Sequence, residues 1–209
     1  MKPWRDAPSE RTRVRRIPER GSYERRAAEE ILDSSWFCHV GLVQDGRPFV
    51  IPMLHARVEE TVYLHGSAAS RLLRHGQELC VAVTLVDGLV LARSAFHHSA
   101  NYRSLVAFGL PRAVPDEEKS TAMRAFSERL VPGRWDDVRA PKQSELKATS
   151  VLAVALDEFS VKTRTGPPGD EEEDYELGVW AGVVPVEQRL LEPVPDPRLR
   201  PGVDLPPYL

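Results

Sequence analysis

Short apolar runs separated by turn-forming residues constrain the fold of this chain most. Alternating or β-branched segments occupy residues 37–43, 48–56, 58–65, 79–85, 89–94, 102–114, 150–164 and 176–183. Gln44-Asp45-Gly46-Arg47 and Val86-Asp87-Gly88 lie between successive runs, and both patterns favour β-hairpins. The runs do not alternate with helices as βαβ units would, so a doubly wound parallel sheet is disfavoured. We therefore predict a mainly β protein with helices (α+β), built as a small antiparallel barrel.

Several helices are expected to interrupt the strands. Ser22 is a candidate N-cap for a first helix that runs to about Leu32. A short helix is expected over 68–75, ended by Gly76 in a left-handed conformation. Pro115 and Asp116 open a third helix, which Pro132-Gly133 ends, and a helical turn is expected at 144–148. The apolar face of the third helix is formed by Ala122, Met123, Phe126 and Leu130.

Composition describes an ordinary soluble chain. It has 209 residues, of which 42% are hydrophobic and 28% charged, with a formal net charge of -3. This charge predicts no affinity for nucleic acid or for an anionic membrane, and no apolar run approaches the ~20 residues of a membrane span. Without the apolar core of a signal peptide, the chain is expected in the cytoplasm. Cys38 and Cys80 lie in apolar runs and are expected to be buried thiols rather than a disulfide.

Three regions are expected along the chain. Residues 1–21 form a basic N-terminal arm whose acidic residues interrupt its charge, which favours a solvated or subunit-contacting segment over a nucleic-acid tail. Residues 22–186 form the barrel domain. Residues 187–209 form a proline-rich tail, expected to be extended and either disordered or draped over a neighbouring subunit.

Residues 61–71 carry the first candidate site. A strand-like run ends at His65-Gly66 and passes into small residues that would open a helix near residue 68. Backbone amides, Ser67, Ser70 and Arg71 would converge at the N-terminus of that helix, an arrangement that suits a phosphate group.

Other catalytic chemistries have little support in the sequence. His97 and His98 are adjacent, so their side chains diverge on a strand, and the sequence has no HxxxH, HExxH or CxxC motif. A metal site is therefore not expected, although a single histidine ligating heme would leave little trace in sequence. The chain also lacks a GxSxG elbow and a nucleoside triphosphate phosphate loop.

Polar and aromatic residues cluster at other predicted strand ends. Lys162 and Arg164 close the penultimate strand, and Trp180 lies on the last. Such residues often only cap and solvate strand ends. Together with His65 and Arg71 they also suit a ligand that has a phosphate at one end and a planar ring at the other.

Five segments, in order, resemble the pyridoxamine 5'-phosphate oxidase-like split barrels, in particular the bacterial flavin-nucleotide-binding and nitroimidazole-resistance branch. They are Tyr-Leu-His-Gly-Ser-Ala-Ala-Ser-Arg (63–71), Val-Thr-Leu-Val-Asp-Gly-Leu-Val-Leu-Ala-Arg-Ser (83–94), His-His-Ser-Ala-Asn-Tyr-Arg-Ser-Leu-Val-Ala-Phe-Gly (97–109), Lys-Thr-Arg-Thr-Gly-Pro-Pro (162–168) and Val-Trp-Ala-Gly-Val-Val-Pro (179–185). The resemblance covers residues 11 to 186.

The resemblance implies an antiparallel split β-barrel that binds FMN at the interface of a homodimer. Ser67, Ser70 and Arg71 would hold the phosphate, but Leu72 stands where the oxidases have a lysine, so Lys162 or Arg164 would supply that charge. The ring would lie against the segment that contains Pro52, Met53 and Leu54. His65 and Gly66 would border the pocket, with His65 matching a functional histidine of the resistance branch, and Trp180 would stack on the ring from the partner or close the site.

The resemblance implies a flavin-dependent oxidoreductase that acts on a small organic molecule. Oxidation of vitamin B6 is not expected, because Arg189, Arg198 and Arg200 of the tail do not reproduce the arginine motif of the oxidases. Three alternatives stay open: a non-catalytic flavin- or heme-binding protein that stores, senses or traffics its cofactor, a nitroimidazole reductase, and a deazaflavin enzyme.

Overall fold

A computed structural model describes residues 7–67 and 76–209. In that part of the chain the strands are β1 (Gly21–Ser22), β2 (Phe37–Gln44), β3 (Arg47–Val58), β4 (Thr61–Ser67), β5 (Leu79–Leu91), β6 (Ser99–Gly109), β7 (Arg112–Ala113), β8 (Thr149–Ala155), β9 (Glu158–Arg164) and β10 (Gly182–Pro185). The α-helices are α1 (Arg25–Asp33), α2 (Asp116–Leu130), α3 (Arg134–Asp137) and α4 (Gln143–Ala148). Short 3-10 helices cover Pro18–Arg20, Ala95–His97 and Glu172–Glu176.

The strands form an antiparallel sheet that folds over a main core, and a second, smaller cluster lies between the sheet and α2. The strand order is β1-β9-β6-β5-β2-β3-β4-β8-β7, and β10 pairs with β5 outside this path. The long strand β3 belongs to both halves of the sheet, because Leu54 pairs with Phe37 of β2 while His55 pairs with Leu64 of β4. Apolar side chains of both halves and of α1 meet inside, as Val40, Leu64 and Leu105 illustrate. The predicted α+β split barrel is confirmed.

The β2–β3 hairpin is confirmed at the predicted turn. Gln44 pairs with Arg47, and the two residues between them have positive φ angles, 49° at Asp45 and 71° at Gly46. A two-residue turn with this backbone matches the right-handed twist of the strands it joins, and Asp-Gly is a sequence that tolerates it.

The second predicted hairpin is wrong. Residues 79–91 form the single strand β5, which pairs with β6 along its length and has a bulge between Val86 and Gly88. The extra residue is Asp87, whose carboxylate accepts hydrogen bonds from the Arg103 guanidinium of β6 at 2.8 and 3.0 Å. The Asp-Gly pair therefore produces a bulge instead of a reversal.

The strand predicted at 150–164 is also wrong, because the chain turns a corner after Ala155. Strand β8 pairs with β4 and β7, whereas β9 pairs with β6 and β1 in the other half of the sheet. Between them Leu156 is buried, and its N–H donates to the Glu60 carbonyl oxygen at 2.8 Å.

Other element boundaries differ from the predictions. Ser22 is in β1, its hydroxyl accepts from the Glu24 N–H, and α1 begins only at Arg25, so Ser22 is not the N-cap. The last strand, predicted at 176–183, begins only at Gly182 as β10. Before it, Glu172–Glu176 form a 3-10 helix. The strand predicted at 102–114 is interrupted after Gly109 and continues as β7.

The chain ends lie against the barrel where the structure describes them. In the arm, Arg11 pairs with Glu78 and Glu158, and the Lys162 ammonium donates to the Arg16 carbonyl oxygen at 2.8 Å. The tail has no regular structure after β10, but Tyr208 contacts α3 of the same chain. Both cysteines are free thiols, and burial raises the pKa of Cys38 to about 12. No helix in the described ranges is long and apolar enough to cross a membrane.

Candidate functional site

A cavity of about 600 Å³ opens beside the C-terminal half of β4, and we call it the His65 cavity. Most of its wall is apolar, with α2 and the segment after it covering one side. Its lining residues include Leu54, His65, Met123, Leu130, Trp135, Val138, Arg139, Glu145, Leu146 and Thr149. An apolar cavity with few convergent polar groups is the usual form of a cofactor or substrate site.

The alternation of β4 places His65 at this cavity. Val62 and Leu64 face the barrel core, so Tyr63 and His65 face the opposite side, where α2 packs against β4. There the His65 ring meets Phe126 edge to face. Among the described residues, the ring nitrogens of His65 have no hydrogen-bond partner.

The chemistry of His65 follows from its surroundings. Burial lowers the pKa of the imidazole below its ordinary value of 6.5, so the ring is neutral at neutral pH. A neutral imidazole with an unengaged lone pair can accept a hydrogen bond or ligate a metal-containing cofactor. The described ranges contain no group of three His, Cys, Asp or Glu side chains that could hold a metal ion by themselves.

One ion pair lies at the edge of the His65 cavity. The Arg139 guanidinium donates to both oxygens of Glu145 at 2.8 and 2.5 Å. These hydrogen bonds, together with one from the Lys142 backbone N–H, lower the pKa of Glu145 to about 2. Glu145 is therefore ionised and engaged at neutral pH, which makes it a poor general base or acid.

The residues predicted to line a flavin ring are only partly brought together. Leu54 lines the His65 cavity, but Pro52 is exposed on β3 and Met53 packs against the barrel core. Gly66 and Ser67 end β4 and pair with Ser150 and Thr149 of β8. Ser70 and Arg71 lie outside the described residues, as do Leu72 and the predicted helix at 68–75.

The predicted basic groups of β9 lie elsewhere in the chain. Arg164 is only 8% exposed and donates to Asn101 and to the carbonyl oxygens of Gly166 and Pro167, so it holds the loop that follows β9. Lys162 contacts the N-terminal arm. Neither residue lines the His65 cavity.

Trp180 precedes β10 and is 66% exposed. Its indole lies over Gly182, where an added Cβ would come within 2.9 Å of the ring. Within one protomer Trp180 does not reach the His65 cavity. Its exposed ring is free to contact a ligand or a second chain.

Sequence reasoning missed the α2 wall of the cavity. Met123 and Leu130 were recognised as part of an apolar helix face, and that pattern does not distinguish a core contact from a cavity wall. Trp135 and Val138 follow the Pro132-Gly133 helix stop, where no motif marks them.

The folded-over antiparallel sheet and its lateral cavity define a split barrel, and the sequence comparison gives the family. The pyridoxamine 5'-phosphate oxidase family matches residues 24–163, which is most of the chain. The protein therefore belongs to the pyridoxamine 5'-phosphate oxidase-like family, as predicted. No curated protein matches the chain significantly.

Solved structures agree with this assignment over nearly the whole chain. The flavocytochrome Anf3 from Azotobacter vinelandii is 41% identical, with a TM-score of 0.91, over 97% of this chain and 96% of that one. The FAD- and heme-binding protein from Mycobacterium smegmatis is 38% identical, with a TM-score of 0.87, over 90% of this chain and 95% of that one. A candidate 5-nitroimidazole antibiotic resistance protein from Bacteroides thetaiotaomicron shares the fold at 21% identity and a TM-score of 0.57, over 68% and 85%.

Proposed function

We propose that this protein binds both a flavin nucleotide and heme, and that it is an electron-transferring flavocytochrome of its family. One observation carries the proposal: His65 stands uncharged and without a described hydrogen-bond partner at an apolar cavity. The near-complete match to two proteins, one a flavocytochrome and one that binds FAD and heme, supports the same conclusion.

The residues of the His65 cavity fit a heme. His65 would ligate the iron, and Leu54, Met123 and Trp135 would contact the macrocycle. Arg139 lies at the cavity edge, where its guanidinium would pair with a heme propionate. Its N–H donors would then be shared between the propionate and Glu145. Heme supplies one-electron redox chemistry, while the protein sets the iron ligand and the polarity around it.

The flavin would occupy the site that the resemblance implies, completed by a second protomer. Ser67 would hold its phosphate together with Ser70 and Arg71, which are outside the described residues. Trp180 of the partner would cover its ring. FMN is the flavin expected from the resemblance, and FAD is the flavin of the M. smegmatis protein. FMN is therefore the first candidate flavin. FAD is the alternative, and the experiment below distinguishes the two.

As the first candidate activity we propose that of a flavin-dependent oxidoreductase that acts on a small organic molecule. A non-catalytic role in cofactor storage, sensing or trafficking is the second candidate. The ion pair between Glu145 and Arg139 favours this role. Glu145 is the only carboxylate among the described residues that line the His65 cavity, and the pairing leaves it unavailable for proton transfer.

The absorbance spectrum of the purified protein tests the proposal. We expect flavin bands and a Soret band, and release followed by chromatography identifies the flavin as FMN or FAD. His65→Ala should remove or shift the Soret band and leave the flavin bands unchanged. His39→Ala is the matched control, because His39 is exposed on β2 away from the cavity. A protein that binds neither heme nor flavin at micromolar concentration would contradict the proposal.

A further inference from the structure

The C-terminal tail forms one wall of a second cavity, of about 750 Å³, which we call the tail cavity. The opposite wall belongs to the body of the protein and includes Trp36, Phe37 and Leu130. Leu54 and Leu130 line both this cavity and the His65 cavity, so the two lie side by side. The volume of the tail cavity lies within the range of about 300–1,000 Å³ that is typical of small-molecule sites.

The chain holds the tail across this cavity at two points. At its start, the Val186 N–H donates to the Asp87 carbonyl oxygen at 3.1 Å, beside the bulge of β5. At its end, the Tyr208 hydroxyl donates to the Asp137 carboxylate and accepts from the Arg134 guanidinium at 3.0 Å. The segment between these points is therefore a strap with fixed ends, and the Tyr208 hydroxyl is already engaged outside the cavity.

The walls select for an apolar occupant. Leu190 and Leu191 of the strap line the cavity although they are 72% and 73% exposed. Glu192 has the only charged side chain among the described residues that line the cavity. Exposed leucines on a chain that is tied down at both ends leave apolar area in water, and a ligand that filled the space would remove that area from water. Trp36 and Phe37 add aromatic walls, which favour a ring-containing ligand.

We propose that the tail cavity is a binding site for an uncharged, apolar small molecule that carries an aromatic ring. The site adjoins the His65 cavity, with which it shares Leu54 and Leu130, and the proposal does not require that heme occupy the His65 cavity. A ligand there would lie next to Leu54 and Leu130, with the strap as its outer wall.

A fluorescence titration with Nile red, an uncharged aromatic probe, tests the proposal on the full-length protein with its cofactors bound. We expect saturable micromolar binding with a blue-shifted emission. Leu191→Asp should weaken binding at least tenfold, because it places a carboxylate in the apolar wall. Val194→Asp is the matched control: Val194 is in the same tail and 91% exposed, but does not line the cavity, so binding should be unchanged.

A second variant and the cofactor spectrum separate the possible outcomes. Tyr208→Phe removes the hydroxyl that anchors the strap but keeps the apolar walls, and should weaken binding several-fold without unfolding the protein. Equal losses of probe affinity in Leu191→Asp and Val194→Asp would overturn the proposal, and so would the absence of saturable binding. Displacement of the probe by added heme, or a changed Soret band in Leu191→Asp, would instead assign the tail cavity to the heme site and also overturn it. A missing Soret band in the unmodified protein bears only on the proposed function.

Discussion

His65 of β4 and Phe126 of α2 meet edge to face, with ring centroids 4.4 Å apart and planes inclined by 72°. Phe126 is itself buried against the sheet, so its position is fixed by the packing of α2. The contact therefore couples the orientation of the candidate iron ligand to a helix distant from it in sequence. Such aromatic pairs contribute about 0.5–1.5 kcal/mol beyond the area they bury.

Phe126→Leu tests whether this contact orients His65. We expect the free energy of unfolding to fall by roughly 1–2 kcal/mol, within the range for lost aromatic contacts and imperfect repacking. Heme should bind several-fold more weakly while the Soret position is retained, because His65 is still present but less constrained. Phe96→Leu is the control, since the Phe96 ring also meets a histidine edge to face but is 89% exposed and does not line the His65 cavity. A Soret band lost entirely in Phe126→Leu would contradict a purely positioning role.

Protonation of buried histidines should make the protein less stable in acid. His55 is almost fully buried, its Nε2–H donates to the Leu32 carbonyl oxygen at 3.0 Å, and its Nδ1 has no partner among the described residues. Burial lowers the pKa of His55 below its ordinary 6.5, as it does for His65. The unfolded chain therefore binds more protons than the folded one at pH values below about 6.5.

His55 and His65 should therefore not change the free energy of unfolding above pH 6.5. Below pH 6.5 this free energy should fall as the pH drops through the lowered pKa values of the two histidines. Chemical denaturation between pH 8 and pH 5 measures this slope. His55→Gln should reduce this dependence on pH, although the variant is less stable overall. His39→Gln, at an exposed position, should leave the dependence unchanged. An identical slope in all three proteins would contradict the assignment.

The fold was predictable because local signals agreed with the global pattern. Asp45-Gly46 specifies a turn by backbone preference alone, and the apolar runs specified the antiparallel strands. Asp87-Gly88 carries a similar local signal and gives a bulge instead, because Arg103 and the pairing of β6 with both halves of β5 decide the outcome. That information is non-local, so no short sequence window contains it.

The candidate site was predictable only in part. His65 could be singled out as a strand-end histidine, and Leu54 lines the same cavity. Arg164 has the charge that a phosphate needs, but its partners are Asn101 and carbonyl oxygens of the loop after β9, which the sequence does not reveal. The tail wall of the second cavity was not foreseen, because a proline-rich composition says nothing about where an extended segment docks.

The pairing of β10 with β5 depends on the absence of a side chain at Gly88. A Cβ there would come within 2.8 Å of Val183 Cγ1 and 3.1 Å of the Val184 carbonyl oxygen, both in β10. Gly88→Ala should therefore push β10 away and destabilise the protein by roughly 1–3 kcal/mol, as for other overpacked sites. Faster amide hydrogen exchange in 182–185 would report the loosening. Gly178→Ala is the control, since an added Cβ there meets no atom within 4 Å.

The exposed apolar surface of the β2–β3 hairpin predicts the dimer that the proposed flavin site needs. Phe49 and Val50 are 43% and 67% exposed on successive positions, so both faces of this part of β3 are apolar and in water within one protomer. Burial against a second copy would remove that area from water. We expect the purified protein to have the mass of a dimer by light scattering.

Val50→Asp should yield a monomer that has lost most of its flavin, because the proposed flavin site takes Trp180 from the partner protomer. Val58→Asp is the control: Val58 is also an exposed valine of β3, but it lies at the opposite end, beside the turn to β4. Mass and flavin content should be unchanged in that variant. A wild-type monomer that keeps a full complement of flavin would show that the site is built within one chain, without the Trp180 of a partner.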